Sequence, residues 1–300
     1  MKQKKFTATS KILISGEHSV VYSQPALVCP VLSKRLAVSL NNEGVDSSSD
    51  LYLSHIIKVF NRFFKTGFNS LTINIKSEIP PKSGLGSSAA LAYAVIQALV
   101  KKIDAKVTKR ELVGLVQRAE SFVHGKSSGI DPLAVVYKKI VYYQPQKQDG
   151  AKQALLSLSK PIKRVLNHFY VINSGQAVES TKQMVKLVQS KLNKKPSLKE
   201  ILDKMGALTK KIKKEIKSGK VPLDLIKQNH QLLSKIGVVG QTADGVIHQI
   251  QDLGGAAKIS GAGGLKQGSG MILACHPKPS ILTRYLNQNN YNYFKLWTNS

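Results

Sequence analysis

The chain has 300 residues, of which 42% are hydrophobic, and a formal net charge of +28 at pH 7. Such a length allows one large or two modest domains with a sizeable buried core. No apolar run approaches the roughly 18 residues of a membrane span. Polar residues also interrupt the apolar stretch after the basic start, which argues against a secretory signal peptide. These features indicate a soluble globular protein.

The excess of positive charge raises the question of which partners the protein binds. Nucleic-acid binding would explain it, but the lysines are spread along predicted helices and form no compact run alternating with aromatic residues. We therefore expect no specific nucleic-acid partner, and interpret the charge as a solvated surface that also attracts anionic small molecules. Cys29 and Cys275 each lie in an apolar, strand-like run, which predicts buried thiols in a reducing cytoplasm.

The N-terminal region is predicted to form short strands at residues 6–8, 12–14, 26–29 and 36–40. Three charged or titratable residues, Lys11, Glu17 and His18, lie unusually close to apolar strand ends, so each needs a partner or a ligand. Considered alone, His18 is compatible with an ordinary buried histidine and Lys11 with a surface charge. Polar residues 41–50 then predict a turn, and apolar residues at helical spacing predict a helix over 51–64.

A glycine-rich loop follows the strand predicted at 71–79. Two prolines at 80–81 end that strand because proline has no amide hydrogen to donate. Gly84 and Gly86 allow a tight turn and a close approach to a ligand, and Ser87 and Ser88 precede a helix predicted over 89–101. A helix N-terminus behind such a loop suits a phosphate. The loop matches neither a Walker A sequence nor a dinucleotide fingerprint, so an ordinary loop with a serine cap is the alternative.

Two acidic residues stand out in the region after this helix. Thr108 and Glu111 match a capping box, and the helix that they open carries an apolar stripe extending to Val123. Glu120 lies beside that stripe, so its carboxylate either reaches water or has a cationic partner inside the protein. Asp131, followed by proline, is a standard N-cap for the next helix.

The second half of the chain alternates strands with lysine-rich amphipathic helices. Strands are predicted at 140–143 and 169–172, helices at 180–193, 197–217 and 223–236 with Gly237 as the C′ residue, and a β-α-β ending over 271–297. A second glycine-rich loop, at 261–264, follows a predicted strand. A boundary at 163/164 divides the chain into predicted domains of residues 1–163 and 164–300.

Several segments resemble motifs of the GHMP kinases, a family that acts on small molecules such as galactose, homoserine, mevalonate and phosphomevalonate. Residues 81–90, Pro-Lys-Ser-Gly-Leu-Gly-Ser-Ser-Ala-Ala, are similar to the family's phosphate loop, and residues 257–264, Ala-Lys-Ile-Ser-Gly-Ala-Gly-Gly, to its third motif. Residues 11–26 resemble the first motif of the mevalonate kinases. Residues 124–131 resemble another of their elements, in which a glutamate precedes the aspartate by eleven residues. The chain is thus identified as a member of this family.

This sequence departs from the family pattern at a few positions. They are Ser23, Ser127, Pro132, the pair at 138–139, and residues 265–267, which lengthen the second glycine loop. None of these departures removes a group that carries chemistry.

The resemblance implies an α+β, two-domain GHMP kinase fold. The N-terminal, ATP-binding domain would resemble the second domain of ribosomal protein S5, and the C-terminal domain would be ferredoxin-like. The implied activity is ATP-dependent phosphorylation of the primary hydroxyl of mevalonate to 5-phosphomevalonate, in the route to isoprenoids. ATP and Mg²⁺ would be the cofactors, and mevalonate and ATP the small-molecule partners. No membrane partner is expected, and a homodimer is left open.

The resemblance also implies roles for individual residues. Asp131 would take the proton from the substrate hydroxyl, and Lys11 would stabilise the substrate carboxylate and the developing charge. Glu17 and His18 would bind the substrate together with these two residues.

The phosphates and the metal ion would be held by the glycine loops and their neighbours. Ser88 and Glu120 are implied to bind Mg²⁺. The residues implied to bind the ATP phosphates are Pro81, Lys82, Ser83, Gly84, Leu85, Gly86, Ser87, Ser88, Gly261, Ala262 and Gly263. Two alternatives stay open: another GHMP kinase, such as a phosphomevalonate kinase or a mevalonate 3-kinase-like enzyme, and a basic nucleic-acid-binding protein on a kinase fold.

Overall fold

The computed structural model describes residues 4–81, 83–124, 129–145 and 151–297. The strands are β1 (Phe6–Ser15), β2 (Ala26–Asp46), β3 (Thr72–Ser77), β4 (Ile140–Pro145), β5 (Ala151–Leu156), β6 (Phe169–Asn173), β7 (Ala256–Ser260), β8 (Met271–Cys275) and β9 (Tyr293–Lys295). The α-helices are α1 (Leu51–Phe64), α2 (Ser87–Lys102), α3 (Lys109–His124), α4 (Ile130–Tyr137), α5 (Lys160–Leu166), α6 (Thr181–Lys194), α7 (Leu198–Ser218), α8 (Leu223–Lys235), α9 (Gln241–Asp252) and α10 (Pro279–Gln288). A 3₁₀ helix spans Ser19–Tyr22.

The first sheet has the strand order β1-β2-β4-β5, with β3 paired to β2. Strand β2 is 21 residues long and replaces the two short strands predicted over the same region. The prediction of a turn starting at residue 41 is wrong, because the end of β2 pairs antiparallel with β3 through an irregularity between Leu40 and Val45. These inter-strand hydrogen bonds keep a polar segment extended where local sequence favours a turn.

The chain divides into two compact units, each made of several segments. The first consists of Met1–Lys11, Pro30–Pro81 and Gly86–Lys138. Its helices α1, α2, α3 and α4 pack on one another. Helix α2 is rich in alanine and buries residues on nearly every side, because small side chains let the neighbouring helices approach it closely.

The second unit consists of Ile12–Cys29, Lys82–Leu85 and Lys139–Ser300. Its four-stranded sheet has the order β7-β8-β6-β9, with every pair antiparallel. Helices lie between β6 and β7 and between β8 and β9, so order and connectivity are those of a ferredoxin-like sheet, as expected. Helices α8 and α9 pack against β7.

Most predicted helices agree with the structure to within about two residues at each end. The sequence patterns predict neither α5 nor α9, and they predict no strand where β5 lies. Both cysteines are fully buried, as expected. The domain boundary at 163/164 stays a prediction. Among the described residues, no helix combines the length and the apolarity required to cross a membrane.

Candidate active site

A largely buried ion pair joins Lys11 and Asp131 in the first unit. Strand β1 carries Lys11, whose side chain is 5% exposed, and Nζ of Lys11 lies 3.0 Å from Oδ1 of Asp131. Asp131 lies in the first turn of α4, and the N-cap of that helix is Gly129, with φ of 78°. The interpretation of Asp131 as an N-cap is therefore wrong. Its carboxylate contacts a lysine instead.

Gly86 determines how closely Lys11 approaches helix α2. It is the N-cap of α2, with φ of 70°, a value that strongly favours glycine. A Cβ atom at this position would lie 2.8 Å from Cε and 2.9 Å from Cγ of Lys11. The missing side chain thus leaves room for the lysine stem beside the N-terminus of α2. Ser87 and Ser88 lie in the first turn of this helix, not before it.

Glu120 is the buried acidic group of this cluster. It projects from α3 and is 1% exposed, so it does not reach water. Its pKa is raised to about 7, mainly by burial and also by the nearby charge of Asp131, whereas a hydrogen bond from Ser88 and the charge of Lys11 oppose the rise. The hydroxyl of Tyr52 lies 3.5 Å from Oε1 of Glu120 and 3.2 Å from the carbonyl oxygen of Ser88.

The first unit therefore brings together four residues singled out in the sequence: Lys11, Ser88, Glu120 and Asp131. They come from β1, α2, α3 and α4. Tyr52, from α1, completes the cluster. The sequence patterns do not predict a role for it. Its position in an amphipathic helix gives no local signal that its hydroxyl faces a carboxylate. Pro81 also belongs to this unit. Lys82 lies outside the described residues.

In the second unit, the two glycine-rich segments contact each other. Gly84 has φ of 80°, and a Cβ there would lie 3.0 Å from the carbonyl oxygen of Ser260. Gly261 has φ of 102°, and its Cβ would lie 3.4 Å from Cα of Gly84. Ser83 and Leu85, on either side of Gly84, are buried. The positive φ angles and the close packing thus require glycine at both positions, 84 and 261.

Gly263 and Ala262 continue the second glycine segment. A Cβ at Gly263 would lie 2.0 Å from the carbonyl oxygen of Val238, a distance that excludes any side chain without a backbone shift. The carbonyl oxygen of Ala262 accepts a hydrogen bond from Nε2 of His18 at 2.9 Å. Burial lowers the pKa of His18 to about 4, so the ring is neutral near pH 7, with its proton on Nε2. His18 also has φ of 56°, which is uncommon for a residue other than glycine.

A second buried ion pair joins Glu17 to Lys258. Both side chains are fully buried, and Nζ of Lys258 also donates to the carbonyl oxygen of Ile259 at 3.0 Å. Burial lowers the pKa of Lys258, and Glu17 opposes that change. Oε2 of Glu17 has no hydrogen-bond partner among the residues that the structure describes. Lys258 lies in the third motif, but no local pattern indicates that it pairs with Glu17, 241 positions away.

Comparisons with known proteins show which family the chain belongs to. Residues 52–139 match the family model described as GHMP kinases N terminal domain. The chain is 31% identical to a mevalonate kinase of Archaeoglobus fulgidus over 288 residues, which cover 92% of this chain and 95% of that relative.

Two solved structures share the fold. One is the Methanococcus jannaschii mevalonate kinase, with a TM-score of 0.78 at 20% identity, covering 98% of this chain and 97% of that one. The other is the L. major mevalonate kinase in complex with R-mevalonate, with a TM-score of 0.77 at 19% identity, covering 96% and 92%.

The fold and the match to the family model place the chain among the GHMP kinases, which confirms the expectation from the motifs. The sequence identity with the Archaeoglobus protein, which extends over nearly the full length of both chains, identifies the group to which the chain belongs within this class. The chain belongs to the mevalonate kinase family.

Proposed function

We propose that this protein transfers the terminal phosphoryl group of ATP to the primary hydroxyl of mevalonate, giving 5-phosphomevalonate and ADP. The observation that carries the proposal is the cluster of Lys11, Ser88, Glu120 and Asp131, in which a carboxylate, an ammonium group and two hard oxygen ligands lie together. Phosphoryl transfer requires positioning and charge stabilisation more than covalent chemistry, and these residue types supply both.

Asp131 and Lys11 are the proposed catalytic pair. Asp131 is partly exposed, so its carboxylate is accessible to a substrate hydroxyl, whereas Lys11 is buried behind it. Asp131 would accept the hydroxyl proton as the oxygen attacks the phosphorus. Lys11 would stabilise both the carboxylate of Asp131 and the negative charge that develops on the transferred group.

Ser88 and Glu120 fit the requirements of a Mg²⁺ ion. Both offer oxygen, the ligand that this ion prefers, and they are hydrogen-bonded to each other. The raised pKa of Glu120 means that its surroundings do not fully compensate a buried carboxylate, and a divalent cation would do so. When bound, Mg²⁺ would neutralise part of the negative charge of the phosphates.

The glycine segments would bind the triphosphate. The proposed phosphate-binding residues are those at 81–88 and 261–263. In the described part of these segments, Gly84, Gly86, Gly261 and Gly263 all have positive φ. Such backbone can turn its N–H groups toward an anion, and the N-terminus of α2 adds the positive end of a helix dipole.

Glu17 and His18 would shape the mevalonate site. Lys258 anchors Glu17, and the Ala262 carbonyl orients the neutral ring of His18. A positioned, uncharged imidazole suits a hydrogen bond with a substrate hydroxyl, since Nδ1 is left as the acceptor when Nε2 donates.

A substrate panel tests the assignment of the acceptor. ADP release should be measured by a coupled assay with mevalonate, phosphomevalonate, galactose and homoserine at matched concentrations. The proposal requires the highest kcat/KM with mevalonate. A preference for phosphomevalonate would instead identify another member of the same family.

Asp131→Asn tests the mechanism. We expect kcat to fall by about 100-fold or more, because the amide cannot accept the proton. Asp104→Asn is the matched control, since Asp104 also pairs with a lysine in this unit but lies on the surface. Full turnover in Asp131→Asn would remove Asp131 from the reaction.

A further inference from the structure

A second group of polar side chains lies on α8 and α9, outside the residues assigned to phosphoryl transfer. It consists of His230, Asp244 and His248, whose potential ligand atoms all lie within 4.8 Å of one another. Nε2 of His230 lies 3.2 Å from Oδ1 of Asp244, and Nδ1 of His248 lies 3.5 Å from Oδ2 of the same carboxylate. We propose that these three residues bind a late first-row divalent cation, with Zn²⁺ as the ion that fits best.

The spacing between His230 and Asp244 suits a tetrahedral ion. A Zn²⁺ ion with bonds of about 2.0–2.1 Å to nitrogen and oxygen separates neighbouring ligand atoms by about 3.3 Å. The distance of 3.2 Å from Nε2 of His230 to Oδ1 of Asp244 is close to that value, and the exposed ring of His248 has to turn to bring a nitrogen to a similar distance. Two imidazoles and one carboxylate are a known zinc ligand set, and they leave the fourth position for water.

The fold holds one of these ligands in place and leaves the other two more adjustable. Asp244 and His248 are four residues apart on α9, so they share one face of the helix. The side chain of His230 is 4% exposed and is fixed by packing, whereas that of His248 is 59% exposed and can move to complete the coordination. The site is therefore partly preformed and also open to an ion from solvent.

The protonation of the two histidines is compatible with metal binding. Nδ1 of His230 has no hydrogen-bond partner among the residues that the structure describes, so no contact on that side of the ring fixes the tautomer. Nδ1 of His248 lies 2.9 Å from the carbonyl oxygen of Asp244, which only accepts hydrogen bonds, so Nδ1 carries the proton and Nε2 is the nitrogen available to an ion.

The nitrogen ligands distinguish this site from the one proposed for Mg²⁺. Mg²⁺ prefers oxygen ligands, whereas Zn²⁺ and its first-row neighbours bind imidazole strongly. An ion bound here would join α8 to α9, two helices that both pack against β7. Its expected effect is to stabilise the folded chain, since the ligands come together only in the folded state.

Metal titration tests the proposal on the intact protein. Zn²⁺ binding should be measured by calorimetry, and Co²⁺ binding by its visible absorption, both in the presence of excess Mg²⁺. Wild-type protein should bind one equivalent of Zn²⁺, give the absorption of tetrahedral Co²⁺, and unfold at a higher temperature with Zn²⁺ than without it.

Two variants and two controls locate the ion. His248→Ala and Asp244→Asn should each weaken Zn²⁺ binding by about tenfold or more and abolish the thermal shift. Asp252→Asn, with the same charge change at an exposed position of α9, and His55→Ala, which removes a histidine elsewhere, should bind like wild type. Wild-type protein that binds no Zn²⁺, or unchanged affinity in both cluster variants, would overturn the proposal and make the trio a hydrogen-bonded contact between helices.

Discussion

Replacing Glu120 with glutamine should change how the stability of the protein depends on pH. The pKa of Glu120 is raised from 4.5 to about 7 in the folded protein, mainly by burial. Between these two pH values the unfolded chain has an ionised glutamate while the folded chain retains the proton. Raising the pH through this window therefore destabilises the wild-type protein. A pKa change of this size corresponds to a loss of about 3 kcal/mol in the free energy of unfolding. A neutral glutamine does not cause this loss.

The assay is urea unfolding at several pH values from 4.5 to 8, without metal or nucleotide. Glu120→Gln should gain stability relative to wild type as the pH rises, by up to about 3 kcal/mol at pH 8. The same variant should need more Mg²⁺ for turnover, because the amide is a weaker ligand than a carboxylate. Higher stability combined with lower activity would show that the Glu120 carboxylate serves the reaction and does not stabilise the fold.

Glu111→Gln is the matched control in the same helix. Glu111 is exposed, and its pKa is lowered by hydrogen bonds from Thr108, so its contribution to stability is lost only below its ordinary pKa. Glutamine also preserves the capping box. This control should show no trend over the same pH range. A stability difference between Glu120→Gln and wild type that stays constant from pH 4.5 to 8 would refute the reasoning.

Three further substitutions test the packing and the ligands of the site. Gly86→Ala should cost about 1–2 kcal/mol through its positive φ and lower kcat at least tenfold by displacing Lys11, as checked by denaturation and steady-state kinetics. Lys258→Met should destabilise the protein by about 3–5 kcal/mol, because it leaves the Glu17 carboxylate buried without a counter-charge; urea unfolding measures this. Ser88→Ala should raise the Mg²⁺ concentration needed for half-maximal activity in a metal titration.

Each of these changes has a control or a contrary outcome. Gly114→Ala introduces a methyl group in α3 where no atom lies within 4 Å, so it should keep full activity and gain about 0.5–1 kcal/mol. Adding Glu17→Gln to Lys258→Met should recover part of the lost stability. A double variant no more stable than the single one would contradict the account of the ion pair. An unchanged metal titration in Ser88→Ala would exclude its hydroxyl as a ligand.

Sequence patterns alone indicate the family, the order of the motifs and the positions of most helices. These features are local: glycine spacing, capping residues and apolar periodicity are set within one or two turns of chain. The prediction that Lys11, Ser88, Glu120 and Asp131 belong together came from the resemblance to known motifs. Nothing in their spacing alone brings β1 next to α4.

Which charged groups pair with each other depends on long-range packing. Asp131 has the sequence of an N-cap, yet it pairs with Lys11 because packing brings β1 beside the first turn of α4. Lys258 meets Glu17 because β7 and the end of β1 lie in one unit. Long-range hydrogen bonds likewise extend the end of β2 through a polar segment. Burial and pairing depend on distant parts of the chain, so local patterns leave them undetermined.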